Sequence, residues 1–225
     1  MYYDTETTGI RPDKDRIVEI AAYDPTTERT FSKLVNPGIP IPKEASDIHG
    51  ITNDMVAQAP SFAEVGNAFL AFCNEDTILV AHNNENFDKH FLIQEFKRNQ
   101  IELLNYDMVD SLKWARKYRP DLPRHNLQFL RQIYGFNMNN AHRALDDVMT
   151  LYQIFTVMID DLLPEIVLDL LDEEKKSDTM PFGKYQGKPL SEVPVSYLKW
   201  LKNQGAFDKP ENTELKSAIE KMHAL

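Results

Sequence analysis

Short apolar runs and amphipathic segments alternate along the first 165 residues or so of the chain. Residues 17–22, 31–36 and 77–81 are predicted strands, the first and last of them buried. Apolar residues at helical spacing predict a helix from residue 61, and further helices are expected at 88–98 and about 141–163. This alternation predicts an α/β fold in which helices cover a sheet.

The composition changes after this region. Residues 160–174 contain seven acidic side chains and no basic one, and the polar stretch that follows reads as a linker. Lysine and aromatic residues then dominate 181–207. We therefore expect a main domain at 1–165, an acidic helix end and linker at 166–179, and a small C-terminal module at 180–225. A module of about 45 residues is marginal as an independent fold.

The overall charge of −10 argues against a protein that binds polyanions through its net charge, although an acidic pocket can still hold metal. The single cysteine, Cys73, cannot form an internal disulfide, which fits a reducing compartment. No apolar run approaches the roughly 20 residues of a membrane span, and the N-terminus does not resemble a signal peptide. We expect a cytoplasmic protein with no membrane partner.

The first candidate site is Asp4-Thr5-Glu6-Thr7-Thr8-Gly9. On a strand, Asp4 and Glu6 point to the same face, where two carboxylates repel each other unless a cation neutralises them. Gly9 permits a sharp turn or a close approach by a ligand. The alternative is a solvated acidic strand end.

Two further segments follow the same logic. Asp88 lies where the buried strand at 77–81 leads into a helix, and the alternative is that it only caps that helix. His142 and Asp147 lie five residues apart across the start of the long helix, where the helix dipole favours the neutral imidazole that a general base needs. An ordinary helix start is the alternative there.

Together these segments supply four carboxylates and one histidine at strand ends and helix starts, where active sites of α/β sheets tend to lie. Hard oxygen ligands suit Mg²⁺, with Mn²⁺ as a substitute. Two such ions about 3.5–4 Å apart clamp a phosphodiester for in-line attack by water.

This set resembles the DEDD exonuclease superfamily and its histidine subtype, the DnaQ-like DEDDh enzymes. Residues 4–9 match the family's DxETTG motif, and its HxxxxD motif selects Asp147 over Asp146. The resemblance implies a ribonuclease H-like mixed sheet flanked by helices, and 3′-to-5′ hydrolysis that releases 5′-mononucleotides. It implies that Asp4 bridges two ions, that Glu6 and Asp147 complete one site, and that His142 deprotonates water. Asp88 would hold the second ion or a water attached to it.

The resemblance also implies a substrate-binding set. Ile48 and His49 would line the pocket for the terminal nucleotide, although His49 has the alternative of capping a turn. Ile10 and Arg11 directly follow the first motif and would lie beside the scissile end, so from their position we expect Ile10 to wedge between paired bases while Arg11 contacts a phosphate. The second motif has one residue more than usual before Phe87, which leaves open whether Asn83 or Asn84 faces substrate. The full set is Thr7, Thr8, Gly9, Ile10, Arg11, Ile48, His49, Asn83, Asn84 and Phe87.

Two basic stretches are candidates for contacting nucleic acid. Residues 97–131 contain eight Lys or Arg against four acidic residues, with Trp114 and Tyr118 interleaved, although Trp114 can equally lie in the core. In the tail, Tyr185 and Trp200 stand among four lysines and are either stacking platforms or a small core. The tail looks like that of a small single-chain member of the family, which favours DNA as the partner, both as single strands and as duplex 3′ ends.

Three alternatives remain open. An exoribonuclease of the same superfamily and a polymerase proofreading subunit share the expected chemistry, and a catalytically silent nucleic-acid-binding module shares only the fold. A role in DNA repair follows from the family resemblance alone.

Overall fold

A computed structural model of the protein describes residues 1–74, 76–136, 143–172, 180–209 and 212–223. The chain divides into two compact units, Met1–Leu168 and Asp169–Leu225. The finer division at 165 and 180 stays a prediction. None of the helices in the described ranges is long and apolar enough to cross a membrane.

The first unit contains a five-stranded mixed sheet, in the order β3-β2-β1-β4-β5. Strands β1, β2 and β3 pair in antiparallel fashion, whereas β4 runs parallel to both β1 and β5. The strands are β1 (Tyr2–Thr7), β2 (Ile17–Asp24), β3 (Arg29–Leu34), β4 (Leu79–Ala81) and β5 (Met108–Asp110). The predicted mixed sheet flanked by helices is therefore confirmed.

Some of the helices start at a residue whose side chain caps them. The Ser61 side chain accepts a hydrogen bond from the Glu64 N–H, and Asn126 accepts from the Phe129 N–H. The helices that begin in this unit are α1 (Lys43–His49), α2 (Asn53–Val56), α3 (Phe62–Phe72), α4 (Asp88–Arg98), α5 (Ser111–Tyr118), α6 (Leu127–Ile133), α7 (Ala144–Ile159) and α8 (Pro164–Asp172).

Some boundaries differ from the expectation. Strand β2 extends two residues further than predicted, because its hairpin with β3 pairs Asp24 with Arg29. Helix α7 ends at Ile159 rather than at 163, since Asp160 takes a positive φ of 52° that breaks the helical path.

Strand β1 separates two packing layers. Tyr3 contacts Phe69 of α3 on one face, and Tyr2 packs against Tyr152 and Phe155 of α7 on the other. Because side chains alternate along a strand, Asp4 and Glu6 share the α7 face with Tyr2, whereas Thr5 shares the other face with Tyr3. This alternation positions the candidate site.

The second unit has its own small core, which includes Met180, Leu190, Leu198, Leu201 and Phe207. Its regular elements are the end of α8, three short 3₁₀ turns, α9 (Val195–Asn203) and α10 (Thr213–His223). The 3₁₀ turns span Gly183–Tyr185, Leu190–Glu192 and Ala206–Asp208.

Candidate active site

Three of the predicted carboxylates meet beside the end of β1. Asp4 and Glu6 project from the strand toward α7, and Asp147 lies in the first turn of that helix. One oxygen atom of each carboxylate lies within 4.8 Å of the others. The structure therefore brings together residues that are 143 positions apart in the sequence (4 and 147).

Without a cation, the electrostatics of this cluster disfavour the ionised form of all three carboxyl groups at once. Burial, followed by repulsion from Asp88 and Glu6, raises the pKa of Asp4 well above its usual 3.8. Burial, followed by repulsion from Asp147 and Glu19, raises the pKa of Glu6 to about 8. A set of carboxylate oxygens that repel one another in this way fits a hard divalent cation, which would replace the protons as the neutralising charge.

Asp88 approaches β1 from the other layer. It is the first residue of α4, it is buried, and its Oδ1 accepts hydrogen bonds from the Thr5 N–H at 3.1 Å and the Thr5 hydroxyl at 2.7 Å. Burial raises its pKa to about 7, although the Thr5 hydrogen bonds act in the opposite direction. Asp88 lies outside the group of three oxygens within 4.8 Å but contributes the largest repulsion acting on Asp4.

The predicted general base, His142, lies outside the described residues. The next residue, Arg143, forms an ion pair with Glu19, with Nη2 at 3.1 Å from Oε1. Glu19 also accepts a hydrogen bond from the Ala144 N–H at 3.3 Å, and it pairs with Glu6 across the β1–β2 ladder. Glu19 was missed by the sequence analysis, although a glutamate inside the buried run 17–22 was a signal that could have found it.

A second residue missed from the sequence organises the loop after β4. The buried Asp110 accepts hydrogen bonds from the Asn83 and Glu85 N–H groups, each at 3.0 Å. It also caps α5 by accepting from the Leu112 and Lys113 N–H groups. Asn83 adopts a left-handed backbone conformation with φ of 68°. The extra residue of the second motif is thus absorbed in a 3₁₀ turn that Asp110 holds.

The side chains of the two asparagines of this loop differ in how accessible they are to a ligand. The Asn84 side chain is buried, accepts a hydrogen bond from the Tyr3 hydroxyl and donates to the Val109 carbonyl at 3.4 Å. Asn83 is half-buried and accepts from the Asn86 amide at 3.2 Å. Of the two, Asn83 is the one whose side chain is open to a ligand, and Phe87 is half-buried against Phe91.

In the loop after β1, the Gly9 backbone lies very close to the Asp15 carboxylate. A Cβ atom on Gly9 would lie 2.5 Å from the Asp15 carboxylate, which accepts a hydrogen bond from the Arg11 N–H at 2.8 Å. The Thr8 hydroxyl accepts from the Arg16 N–H, and the Thr7 hydroxyl donates to the Gly9 carbonyl. Ile10 is left 82% exposed at the tip of this loop, beside the exposed Arg11.

His49 ends helix α1 and is buried, whereas Ile48 is exposed. The His49 Nδ1 atom accepts a hydrogen bond from the Ile51 N–H at 3.0 Å, so the turn-capping alternative describes this atom. Its Nε2 atom is buried and makes no hydrogen bond of good geometry within the described part of the chain. Burial lowers the pKa of the imidazole, whereas an interaction with the Thr7 backbone acts in the opposite direction. Because Nδ1 accepts a hydrogen bond, the proton of the neutral ring lies on Nε2.

The basic stretch 97–131 offers fewer stacking groups than its sequence suggests. Trp114 is buried and packs against Tyr118 and Phe155, so the core alternative for this residue is correct. Arg119 pairs with Asp121.

Two family models match the chain. The one described as an exonuclease, RNase T, matches residues 1–155, and one described as a putative quorum-sensing-regulated virulence factor matches residues 170–225. The DNA polymerase III subunit epsilon of Treponema pallidum (strain Nichols) is 40% identical over 164 residues, which cover 70% of this chain and 74% of that protein. The chloroplastic and mitochondrial exonuclease DPD1 of Arabidopsis thaliana is 37% identical over 73% of this chain, and the match spans 58% of that protein.

The solved structure described as exonuclease X in complex with 5′ overhanging duplex DNA has the same fold over most of its length. The TM-score is 0.59 with 25% sequence identity, and the match covers 76% of this chain and 98% of that one.

Proposed function

Because the chain belongs to the RNase T exonuclease family and is a 3′–5′ exonuclease of the DnaQ-like DEDDh type, we propose that it degrades DNA from 3′ ends and releases 5′-mononucleotides. The observation that carries this proposal is the meeting of Asp4, Glu6 and Asp147, whose oxygens lie within 4.8 Å of one another. Such a cluster is suited to hold cations that contact a phosphodiester.

Family members depend on divalent metal, and we propose Mg²⁺ in two positions, with Mn²⁺ as a substitute. Asp4 would bridge both ions, Glu6 and Asp147 would complete one site, and Asp88 would serve the other. Bound ions of this kind offset negative charge on the phosphate and on the leaving oxygen. Asp88 is suited to a fixed role, because Thr5 holds its carboxylate with two hydrogen bonds.

We propose His142 as the group that takes the proton from the attacking water. This role comes from the HxxxxD motif, and the neighbouring contacts support it. The Glu19–Arg143 ion pair holds the residue after His142 against strand β2, and the Ala144 N–H bonds to the same carboxylate. The start of α7 is thereby tied to the strand that lies beside Asp4 and Glu6.

The substrate-binding residues are proposed from their exposure and from the motif resemblance. His49 is proposed from the motif resemblance to line the pocket for the terminal nucleotide, next to the exposed Ile48. Exposed Ile10 and Arg11 are suited to contact paired bases and a phosphate. Thr7, Thr8 and Gly9 would shape the loop between these groups and the carboxylates.

DNA is favoured over RNA by the relatives, which include a DNA polymerase subunit and an exonuclease solved with duplex DNA. The 40% identity to an epsilon subunit also supports a second candidate, a proofreading subunit with a polymerase partner. If the chain instead acts without a polymerase partner, we propose that it serves in DNA repair. A cytoplasmic location stays a prediction from the single cysteine, Cys73.

A time course with three 5′-labelled substrates tests the proposal: single-stranded DNA, matched RNA and blunt duplex DNA, each with Mg²⁺ and with EDTA. We expect a metal-dependent ladder that shortens from the 3′ end, with DNA degraded faster than RNA. His142→Ala should abolish the ladder, whereas Lys33→Ala, on the edge strand, should leave it unchanged.

The variant Ile10→Ala sharpens the same experiment. It should slow digestion of blunt duplex more than digestion of single strands, and equal slowing of both would remove the wedge role. If RNA were degraded faster than DNA, RNA would be the preferred substrate and the DNA proposal would be wrong. Tight DNA binding without turnover of any substrate would favour the catalytically silent module.

A further inference from the structure

An aromatic stack lies in the second unit, and we call its members, the half-buried Tyr185 and Tyr197 and the exposed Trp200, the aromatic ridge. Tyr197 and Trp200 stack with ring centroids 5.6 Å apart and an interplanar angle of 26°. Tyr185 meets Tyr197 edge-on at 4.9 Å, and the Lys184 ammonium lies 5.4 Å from the centre of the Tyr185 ring. The ridge therefore combines ring faces with a cation.

The backbone holds this ridge in place before any ligand arrives. The Lys184 N–H donates to the Tyr197 hydroxyl at 3.1 Å, which ties the turn Gly183–Tyr185 to helix α9. Gly183 has a φ of 77°, and a Cβ atom there would collide with the same hydroxyl. The Gly187 N–H bonds to the Met180 carbonyl at 2.7 Å and closes the turn. A preformed surface loses little entropy on binding.

Trp200 is 52% exposed, whereas the other tryptophan, Trp114, is only 3% exposed. Within the described residues, the Trp200 ring stacks on Tyr197 alone. The small core of this unit includes Leu198, Leu201 and Phe207, and Tyr185 and Tyr197 pack against it, whereas Trp200 is not among its described members. Packing of the unit thus does not account for a large ring left half in water, which is a common feature of binding surfaces.

The charge around the ridge has the opposite sign to that of the whole protein. Residues 180–225 contain seven lysines and five acidic residues, whereas the chain carries a net charge of −10. Four of these lysines flank the ridge in sequence and are exposed, and none forms an ion pair within the described ranges: Lys184, Lys188, Lys199 and Lys202. Unpaired cations beside free ring faces match the chemistry of a phosphate backbone with unpaired bases.

We propose that the aromatic ridge is a binding site for single-stranded nucleic acid, with bases stacking on Trp200 and the ridge lysines contacting phosphates. A protein partner is disfavoured, because lysine is depleted in the cores of protein–protein interfaces. Stacking on a ring face reads no base edge, so the site would tolerate many sequences. This site goes beyond the proposed hydrolysis, because it would bind strands without metal and without cleaving them.

Fluorescence titration of the full chain tests this proposal. The protein carries Asp4→Asn and is kept in EDTA, so that no hydrolysis occurs, and the probe is oligo-dT. Stacking should quench Trp200 emission, and Trp200→Phe should remove the quenching because buried Trp114 stays out of reach of the bases. Trp200→Ala should weaken affinity roughly 5- to 150-fold, as measured by anisotropy of labelled oligo-dT.

Salt dependence tests the lysines separately. Lys184→Ala should reduce the slope of log affinity against log salt by about 0.7, whereas Lys33→Ala, a charge-matched change on strand β3, should not. Oligo-rU binding as tightly as oligo-dT would support a stacking site. Unchanged affinity in Trp200→Ala with a native circular dichroism spectrum, or equal affinity for duplex DNA, would overturn the proposal. Neither readout needs nuclease activity, so failure of the proposed hydrolysis would leave the result intact.

Discussion

Two groups of carboxylates in the first unit, one a single buried glutamate and the other a half-buried cluster, are treated in opposite ways. Glu95 of α4 is fully buried and is matched by cations, with Arg16 Nε at 2.6 Å and Arg98 Nη1 at 3.2 Å. Asp4 and Glu6 gather beside Asp147, and no Lys or Arg of the described ranges forms an ion pair with either of them. The protein neutralises the first group internally, whereas Asp4 and Glu6 form no such ion pair within those ranges and belong to the group that we propose to bind metal. The first group therefore stabilises the fold, while the second costs stability in the metal-free protein.

The largest expected effect is a loss of nuclease activity when a carboxylate of the second group is removed. Asp4→Asn should lower nuclease activity at least about a thousand-fold, since it removes the carboxylate proposed to bridge both cations. The same change should raise the free energy of unfolding of the metal-free protein, because a carboxyl group whose pKa is raised by folding disfavours the folded state above its ordinary pKa and asparagine does not. Single-turnover kinetics and urea denaturation in EDTA measure the two effects. A variant that is both less active and less stable without metal would break the comparison.

Glu95→Gln should show the reverse pattern. It leaves Arg16 and Arg98 without a carboxylate, and breaking a buried ion pair in this way costs about 3 kcal/mol of unfolding free energy. Arg98 also donates to the Asp15 and Pro12 carbonyls of the loop after β1, and Arg16 donates to the Pro37 carbonyl, which follows β3. Activity per folded molecule at low temperature should stay within a few-fold of wild type.

The denaturation midpoint of Glu95→Gln, followed in urea, checks this expectation. Glu64→Gln is the matched control, since Glu64 is a glutamate of the same helical layer whose side chain is exposed. If both variants kept the wild-type midpoint, the Glu95 pair would not be a stabilising contact.

The sequence predicted best what depends on nearby residues. The period of two along β1 placed Asp4 and Glu6 on one face, and the helical spacing of apolar residues predicted the helix from residue 61, where α3 is found. Helix α4 runs from Asp88 to Arg98, as its local pattern indicated. These features follow from alternation, helical spacing and caps, which a few neighbouring residues determine.

Contacts between residues that are far apart in the sequence could not be predicted from local sequence patterns. Glu19 and Arg143 are 124 positions apart, and only the packing of α7 on β2 brings them together. The role of Asp110 depends on β5 lying beside β4, which places its carboxylate under the Asn83 N–H. The burial of Trp114 likewise depends on Phe155 of α7. The assembly of the carboxylates was predicted through the motif resemblance rather than from spacing.

Glu19 is an intermediate case, since it lies beside the uncompensated group but has its own cation, Arg143. Glu19→Gln should loosen the start of α7 and lower kcat about 10- to 100-fold, with little change in KM. The metal concentration that gives half-maximal activity should rise as well, because Asp147 follows on the same helical turn. A purely structural role would lower stability and leave the metal dependence unchanged.

A double-mutant cycle tests whether Glu19 and Arg143 act as a pair. If the ion pair is the active element, Arg143→Gln combined with Glu19→Gln should be little worse than either single change. Fully additive losses in kcat would show that the two side chains act independently and that the pair does not position α7.

The smallest expected effect is the coupling between metal, pH and stability. The pKa of Glu6 is raised from 4.5 to about 8, so between these values the folded state retains a proton that the unfolded chain has released. The metal-free protein should therefore lose stability as pH rises through this window. Mg²⁺ competes with that proton, so it should stabilise the protein more at pH 8 than at pH 5. At about ten times its dissociation constant at pH 8, the stabilisation there should be about 1.4 kcal/mol. Melting curves with Mg²⁺ and with EDTA at both pH values measure this. The extra stabilisation by Mg²⁺ at pH 8 over pH 5 should shrink in Asp4→Asn and persist in Glu95→Gln. Only the first change alters one of the two carboxylates, Asp4 and Glu6, that form no ion pair with a Lys or Arg of the described residues.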